Sequence, residues 1–181
     1  NLYDGCGFAA QQDVVIATLS YRLGPLGFAA FREKSKVIGN FGMKDQRQAL
    51  LWLQRELPAF GGDPSKVTLF GESAGGMSVF YHVASPRSKG LFRAAISESG
   101  LPVAWGWDHG ENATKAFATK FGCIDLETLK SCLQKIPVNV LIGNETAAGN
   151  PLAFPTASPP WQPIVDGSDM PRFPMALFKG K

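Results

Sequence analysis

Lys66-Val67-Thr68-Leu69-Phe70-Gly71-Glu72-Ser73-Ala74-Gly75-Gly76-Met77-Ser78-Val79 is the stretch from which the fold of this chain is read. Val67 to Phe70 are apolar or β-branched and predict a short buried strand. Gly71-Glu72-Ser73-Ala74-Gly75 follows at once and fits the nucleophile-elbow pattern, a Ser on a sharp strand-to-helix turn. Such a turn brings strand and helix backbones close together, so small residues on both sides of Ser73 are what it requires, with Gly71 and Gly75 giving closeness at little steric cost. Ala74 then places its N–H at the start of the next helix, where donors without intrahelical partners face a developing oxyanion.

Outward from this centre the chain alternates. Residues 14–21, Val-Val-Ile-Ala-Thr-Leu-Ser-Tyr, predict a buried strand. Residues 22–40 read as a Gly-punctuated loop carrying Phe28 and Phe31. Residues 45–57 predict a helix with Ala49, Leu50, Leu53 and Leu57 on one face and Asp45 in its first turn. Pro58 ends it, and Gly61-Gly62-Asp63-Pro64 turns the chain into the elbow strand. The helix after Ser73 runs to about Ala84 and is closed by Pro86. Residues 93–99 form another candidate strand. Strand, helix, strand, helix, strand is the order of a parallel sheet covered by helices, an α/β architecture. Beyond Trp105 the strand signal fades: residues 111–121 and 126–136 read as helices, followed by Pro-rich loops. Pro151 to Pro163 also carries Phe154 and Trp161 and reads as a packed loop rather than a free linker.

The wider sequence resembles a known family. Phe60-Gly61-Gly62-Asp63-Pro64-Ser65-Lys66 continued through Gly76 is similar, position by position, to the active-serine signature of the type-B carboxylesterase and lipase family, which includes the cholinesterases. Ser20-Tyr21-Arg22-Leu23-Gly24-Pro25 resembles that family's Asn-Tyr-Arg segment, with Ser20 in place of the usual Asn. Gly39 to Leu50 is similar to the segment leading into the helix before the elbow, and Pro163-Ile164-Val165-Asp166-Gly167 to a later landmark. The resemblance covers nearly the whole chain and implies a partial α/β-hydrolase fold. The fold expected is a mostly parallel central sheet flanked by helices, with a helical and loop-rich C-terminal part, and residues 1–181 form a single incomplete domain. Asn1-Leu2-Tyr3-Asp4-Gly5 matches an internal stretch of the family, so the chain is read as an internal fragment.

With 181 residues, 45% hydrophobic and 18% charged, the chain can bury a core of ordinary size. Its net charge of +3 is spread along the sequence, which argues against a nucleic-acid or anionic-membrane partner. No apolar run is long enough to span a bilayer. There is no His pair at ligand spacing and no phosphate-cradling Gly loop, so neither a metal nor an organic cofactor is expected. Of the three cysteines, Cys123 and Cys132 fit either two buried thiols or, as the family implies, a small-loop disulfide, and Cys6 is left over. Asn112-Ala113-Thr114 and Asn144-Glu145-Thr146 are glycosylation acceptor patterns at Asn112 and Asn144. Cysteines and acceptor patterns together favour secretion or the ER lumen.

A Ser hydroxyl needs a base to take its proton, and in α/β-hydrolases the partners follow the Ser in the order acid, then His. The chain has two histidines. His82 falls on the helix launched by the elbow, roughly 13 Å along the axis from Ser73, too far for its ring to return. His109, in the loop Trp107-Asp108-His109-Gly110, has Glu98 or Asp108 as formal acids, but the fold draws its base from beyond the last strands of a larger sheet. The expectation is therefore that the general base is missing from this chain; the resemblance implies an acid and then a His downstream of Lys181, and a Gly-rich oxyanion segment upstream of Asn1.

The resemblance also carries roles for other positions. Glu72 resembles the acidic residue lining the pocket of cholinesterases and carboxylesterases, and reads equally as a structural carboxylate. Trp105 and Trp107 lie near where the family builds its acyl pocket, and read otherwise as plain core. Arg47 and Asp63 match a structural ion pair. Two functions from different classes follow. One is a serine hydrolase cleaving a small-molecule or lipid carboxylic ester through an acyl-enzyme on Ser73. The other is a non-catalytic adhesion or scaffold protein of the same fold. Members of the second kind usually lose the nucleophile or its small neighbours, whereas Ser73, Ala74 and Gly75 are all present.

Overall fold

A computed structural model describes residues 4–33, 36–143 and 161–178. In chain order the elements are α1 (Cys6–Gln12), α2 (Gly24–Phe28), β1 (Phe31–Glu33), β2 (Lys36–Ile38), α3 (Phe41–Glu56), β3 (Thr68–Glu72), α4 (Ala74–Ala84), β4 (Ala94–Glu98), α5 (Trp107–Thr119), α6 (Leu129–Leu133), α7 (Val138–Gly143) and α8 (Pro174–Phe178). They divide into two compact units. The first is Asn1–Tyr21 with Lys44–Leu101, and the second is Arg22–Met43 with Pro102–Lys181.

The first unit is built on β3–α4–β4, a parallel pair joined by a helix. Register runs from Thr68↔Ala94 to Glu72↔Glu98, and Arg93 N–H donates to Val67 O at 2.8 Å just before it. The helix expected from Asp45 begins a turn earlier, at Phe41, so Asp45 stands outside the first turn. Its apolar face is the one the periodicity indicates: Leu50 is buried, and Ala49 and Leu53 are half-buried. Leu57, also buried, opens the 3-10 turn Leu57–Phe60 in which Pro58 stops the α-helix. Gln54 on α3 donates to Pro64 O and to Leu91 O, both at 3.0 Å, and so ties together the entries to β3 and β4.

The expected strand at residues 14–21 does not form. The segment enters no ladder among the described residues, and Val14, Val15 and Leu19 are 42%, 45% and 37% exposed. Its composition has the propensity for a strand, but a strand exists only through pairing, and propensity without a neighbour's N–H and C=O groups is not enough. The sheet is accordingly smaller than the alternation predicts.

In the second unit β1 and β2 pair antiparallel, Phe31↔Ile38 to Glu33↔Lys36, where the sequence predicts only loop. Ala29, Phe31, Phe117, Ala118, Leu129, Leu133 and Leu141 form its apolar core, with Cys123 among them. Cys123 and Cys132 are disulfide-bonded with Cα atoms 5.8 Å apart, which resolves the two readings in favour of the bridge. The helix expected at 111–121 starts four residues earlier, at Trp107, and that expected over 126–136 contracts to α6. Asp125 accounts for the contraction: its carboxylate accepts from Glu127 N–H and Thr128 Oγ1–H and holds 125–128 as a turn. Strand-like pairing does recur late, as a parallel bridge between Trp105 and Ile164. Asn40, buried at φ 54°, holds that segment by donating to Ile164 O and accepting from Ile164 N–H. Among the described residues no helix is long and apolar enough to cross a membrane.

Candidate active site

Ser73 sits between the last residue of β3 and the first of α4, at φ 53° and ψ −112°. A non-glycine residue at positive φ, and here at a ψ outside the left-handed helical well, carries backbone strain of about 1–3 kcal/mol. Strain of this size persists only where the surroundings enforce it. Ser73 N–H donates to Glu98 O at 2.9 Å, and Ser73 O accepts from Met77 N–H at 2.9 Å, so the residue is tied to β4 on one side and to the first helical turn on the other. Its side chain makes no capping bond to its own helix. The hydroxyl thus does not close the helix end, and Ala74, the first residue of α4, is exposed.

The close approach expected at this turn is real, and its steric centre is shifted. A Cβ on Gly71 would lie 2.5 Å from Gly75 C and 2.6 Å from Gly75 O. A Cβ on Gly75 itself would meet nothing within 4 Å, whereas one on Gly76 would lie 2.8 Å from both Glu98 O and Gly100 Cα. Gly75 therefore contributes a bare backbone for Gly71 to approach, and Gly76 and Gly100 let α4 cross the end of β4. Gly76 and Gly100 were not singled out by sequence, although the Gly-Gly pair after Ser73 carried the signal. Ser97 Oγ–H adds a bond to Gly76 O at 3.1 Å across the same crossing.

His82 is not positioned as a base. It lies 2% exposed on α4, with Nδ1 2.9 Å from Ser88 Oγ and Nε2 2.9 Å from Gln46 Oε1. Burial, reinforced by the positive Arg47, lowers its pKa from 6.5 to about 4. It is a neutral core histidine. His109 lies in the first turns of α5, not in a loop, exposed, with its ring centroid 4.1 Å from that of Trp105.

Glu72 is exposed at the end of β3, in register with Glu98. Trp105 and Trp107 are half-buried in the second unit: Trp105 makes the bridge to Ile164, and Trp107 carries the Arg32 guanidinium 5.1 Å over its ring. Asp63 is exposed and caps the 3-10 turn Pro64–Lys66, accepting from Ser65 N–H at 2.9 Å and Ser65 Oγ–H at 2.7 Å, with Lys66 Nζ at 3.4 Å. The Ser65 bonds, chiefly, hold its pKa below the usual value. Asn112 is exposed on α5; the Thr114 of its acceptor pattern is fully buried, its hydroxyl donating to Gly110 O and accepting from Ala30 N–H. Asn144 lies outside the described residues. Cys6 is exposed and outside any disulfide among the described residues, its thiol pKa raised by a hydrogen bond to Asp4.

A strained Ser between a parallel strand and the helix that crosses to the next parallel strand defines an α/β protein with an elbow serine. A model of the carboxylesterase family matches residues 1–181, and the chain belongs to that family. Membership implies the α/β-hydrolase fold, of which β3–α4–β4 is the part around Ser73. The chain is 38% identical to the bile salt-activated lipase of Rattus norvegicus, over 98% of this chain and 30% of that protein. It is 36% identical to cholinesterase 1 of Branchiostoma lanceolatum, over 98% of this chain and 52% of that protein. With pyrethroid hydrolase Ces2e of Rattus norvegicus it shares 41% identity, over 97% of this chain and 30% of that protein. The chain thus spans between about a third and a half of the length of these relatives.

Proposed function

We propose that the full-length protein is a serine hydrolase of carboxylic esters, and that Ser73 is its nucleophile. The observation that carries this reading is the strained backbone of Ser73 at the β3–α4 turn, with its hydroxyl uncommitted to helix capping. The relatives' names, a lipase, a cholinesterase and a pyrethroid hydrolase, agree with ester substrates. Ser73 Oγ adds to the ester carbonyl as its proton passes to a His. The tetrahedral oxyanion takes a hydrogen bond from Ala74 N–H, the alkoxide leaves with the proton, and water then releases the acid from the acyl-enzyme. His82 is locked in the core and does not serve as this base, and in the family resembled the His and the acid that orients it lie outside the stretch matching residues 1–181.

Glu72, one residue before the nucleophile, lines the pocket as the resemblance implies. Asp63 holds the turn into β3 through Ser65 and Lys66 and makes no ion pair with Arg47, and residues 1–181 belong to one α/β-hydrolase domain. The disulfide supports a secreted or ER-lumenal protein, and the acceptor patterns at Asn112 and Asn144 agree with a glycoprotein. The test is Ser73→Ala in the full-length protein against a simple aryl ester. Loss of turnover by at least about 1,000-fold is expected. Turnover at the wild-type rate, or its absence in the wild type, would leave the elbow as inherited structure in an adhesion or scaffold protein.

A further inference from the structure

Ala74 is exposed at the first position of a helix, where backbone frays, yet the proposed reaction needs its N–H held in one direction. A chain of side chains runs from this position into the core of the first unit. Ser78 Oγ–H donates to Ala74 O at 3.0 Å, and Gln46 Nε2–H donates to Ser78 Oγ at 3.1 Å. Gln46 Oε1 faces His82 Nε2 at 2.9 Å, and His82 Nδ1 faces Ser88 Oγ at 2.9 Å. The polarity of the chain is single-valued. A carbonyl oxygen can only accept, so His82 Nε2 bears the hydrogen, Nδ1 accepts from the Ser88 hydroxyl, and every bond points toward Ala74 O.

The far end of the chain is rigid: Gln46, His82 and Ser88 are 6%, 2% and 0% exposed. A buried network with all its members paired specifies one geometry. We propose that Ser78 and Gln46, backed by His82, are positioning residues that fix the first turn of α4 and thereby aim the Ala74 N–H at the oxyanion. The inference rests on Ser73 acting as the nucleophile and goes beyond it in assigning work to side chains that never touch substrate. Ser73 O bound by Met77 N–H restrains the same turn through the backbone, and the side-chain relay restrains its other carbonyl.

Ser78→Ala in the full-length protein tests this most cleanly, since it removes one hydroxyl from a half-buried helical position that Ala suits. Turnover is measured per active serine, titrated to end point with a fluorophosphonate. An oxyanion donor acts in the transition state and not on bound ester, so kcat should fall about 5- to 20-fold with KM within about twofold of wild type. Ser78→Thr, which keeps a hydroxyl, should restore kcat to within about twofold of wild type. Gln46→Met, which fills the same space without hydrogen bonds, should reproduce the kcat loss and reads the relay independently if Ser78→Ala folds poorly. Wild-type kcat in Ser78→Ala and Gln46→Met, or a loss that Ser78→Thr does not restore, would overturn the positioning role. Ser73→Ala run alongside separates the two claims: if it retains full turnover, the nucleophile reading fails, and if it is inactive while the relay variants are not, only the positioning role fails.

Discussion

His82 enters the core uncharged and takes a measurable pH dependence with it. Its pKa falls from 6.5 to about 4, first because burial penalises the imidazolium and then because Arg47 is positive. A histidine depressed in the folded state binds fewer protons than in the unfolded chain. Its contribution to stability is therefore whole above pH 6.5, declines as pH drops, and is gone below about 4. The whole shift corresponds to roughly 3 kcal/mol. Urea unfolding across this window should show the loss, and His82→Gln should flatten that part of the curve; an equal slope in the variant would mean that other groups carry it. Helical spacing placed His82 too far along the axis to serve Ser73, which holds. Its partners Gln46 and Ser88 stand 36 and 6 positions away, and nothing local in the sequence joins them.

The β3–α4 junction was the most legible element because its constraints are local: a β-branched run, a Ser among small residues and a helix closed by Pro86. The glycines refine it. Gly76→Ala should destabilise the protein by about 1–3 kcal/mol, because the new Cβ meets backbone at 2.8 Å and backbone cannot step aside. Gly75→Ala, facing open space in a helix, should be neutral or stabilising by up to about 1 kcal/mol. Chemical denaturation of the pair checks both, and the reverse ranking would refute the packing. Residues 14–21 were misread because a strand depends on a partner far along the chain, whereas a helix closes its own hydrogen bonds. The antiparallel β1–β2 pair was missed for a related reason: two three-residue strands are too short to show a period. In the second unit, the Cys123–Cys132 bridge closes a separation of nine residues and should contribute about 2–3 kcal/mol. Cys123→Ala with Cys132→Ala, compared with the oxidised protein by denaturant melting, should lose that amount, and an unchanged midpoint would show the bridge to be dispensable.

Across the whole molecule, one face of the parallel pair is bare. Phe70 and Ile96 are directly paired in register and are 59% and 51% exposed, next in kind to the uncovered Val14 and Val15. Adjacent exposed apolar side chains of this size bind amphiphilic dyes, so the 181-residue chain should enhance ANS fluorescence under native conditions and Phe70→Ser should reduce it. Equal signals would place the dye elsewhere. The family could be recognised from sequence because its motifs are contiguous, while no base for Ser73 could be assigned, since helical spacing sets His82 too far from it and nothing local sets His109 against it. The central claim is that Ser73 is the covalent nucleophile. Mass spectrometry of the full-length protein after reaction with a fluorophosphonate, followed by proteolysis, tests it directly. One phosphonyl adduct is expected, on the peptide containing Gly71 to Gly76 and at Ser73, appearing in step with loss of ester turnover. An adduct at another residue, or complete loss of turnover with Ser73 unmodified, would contradict it.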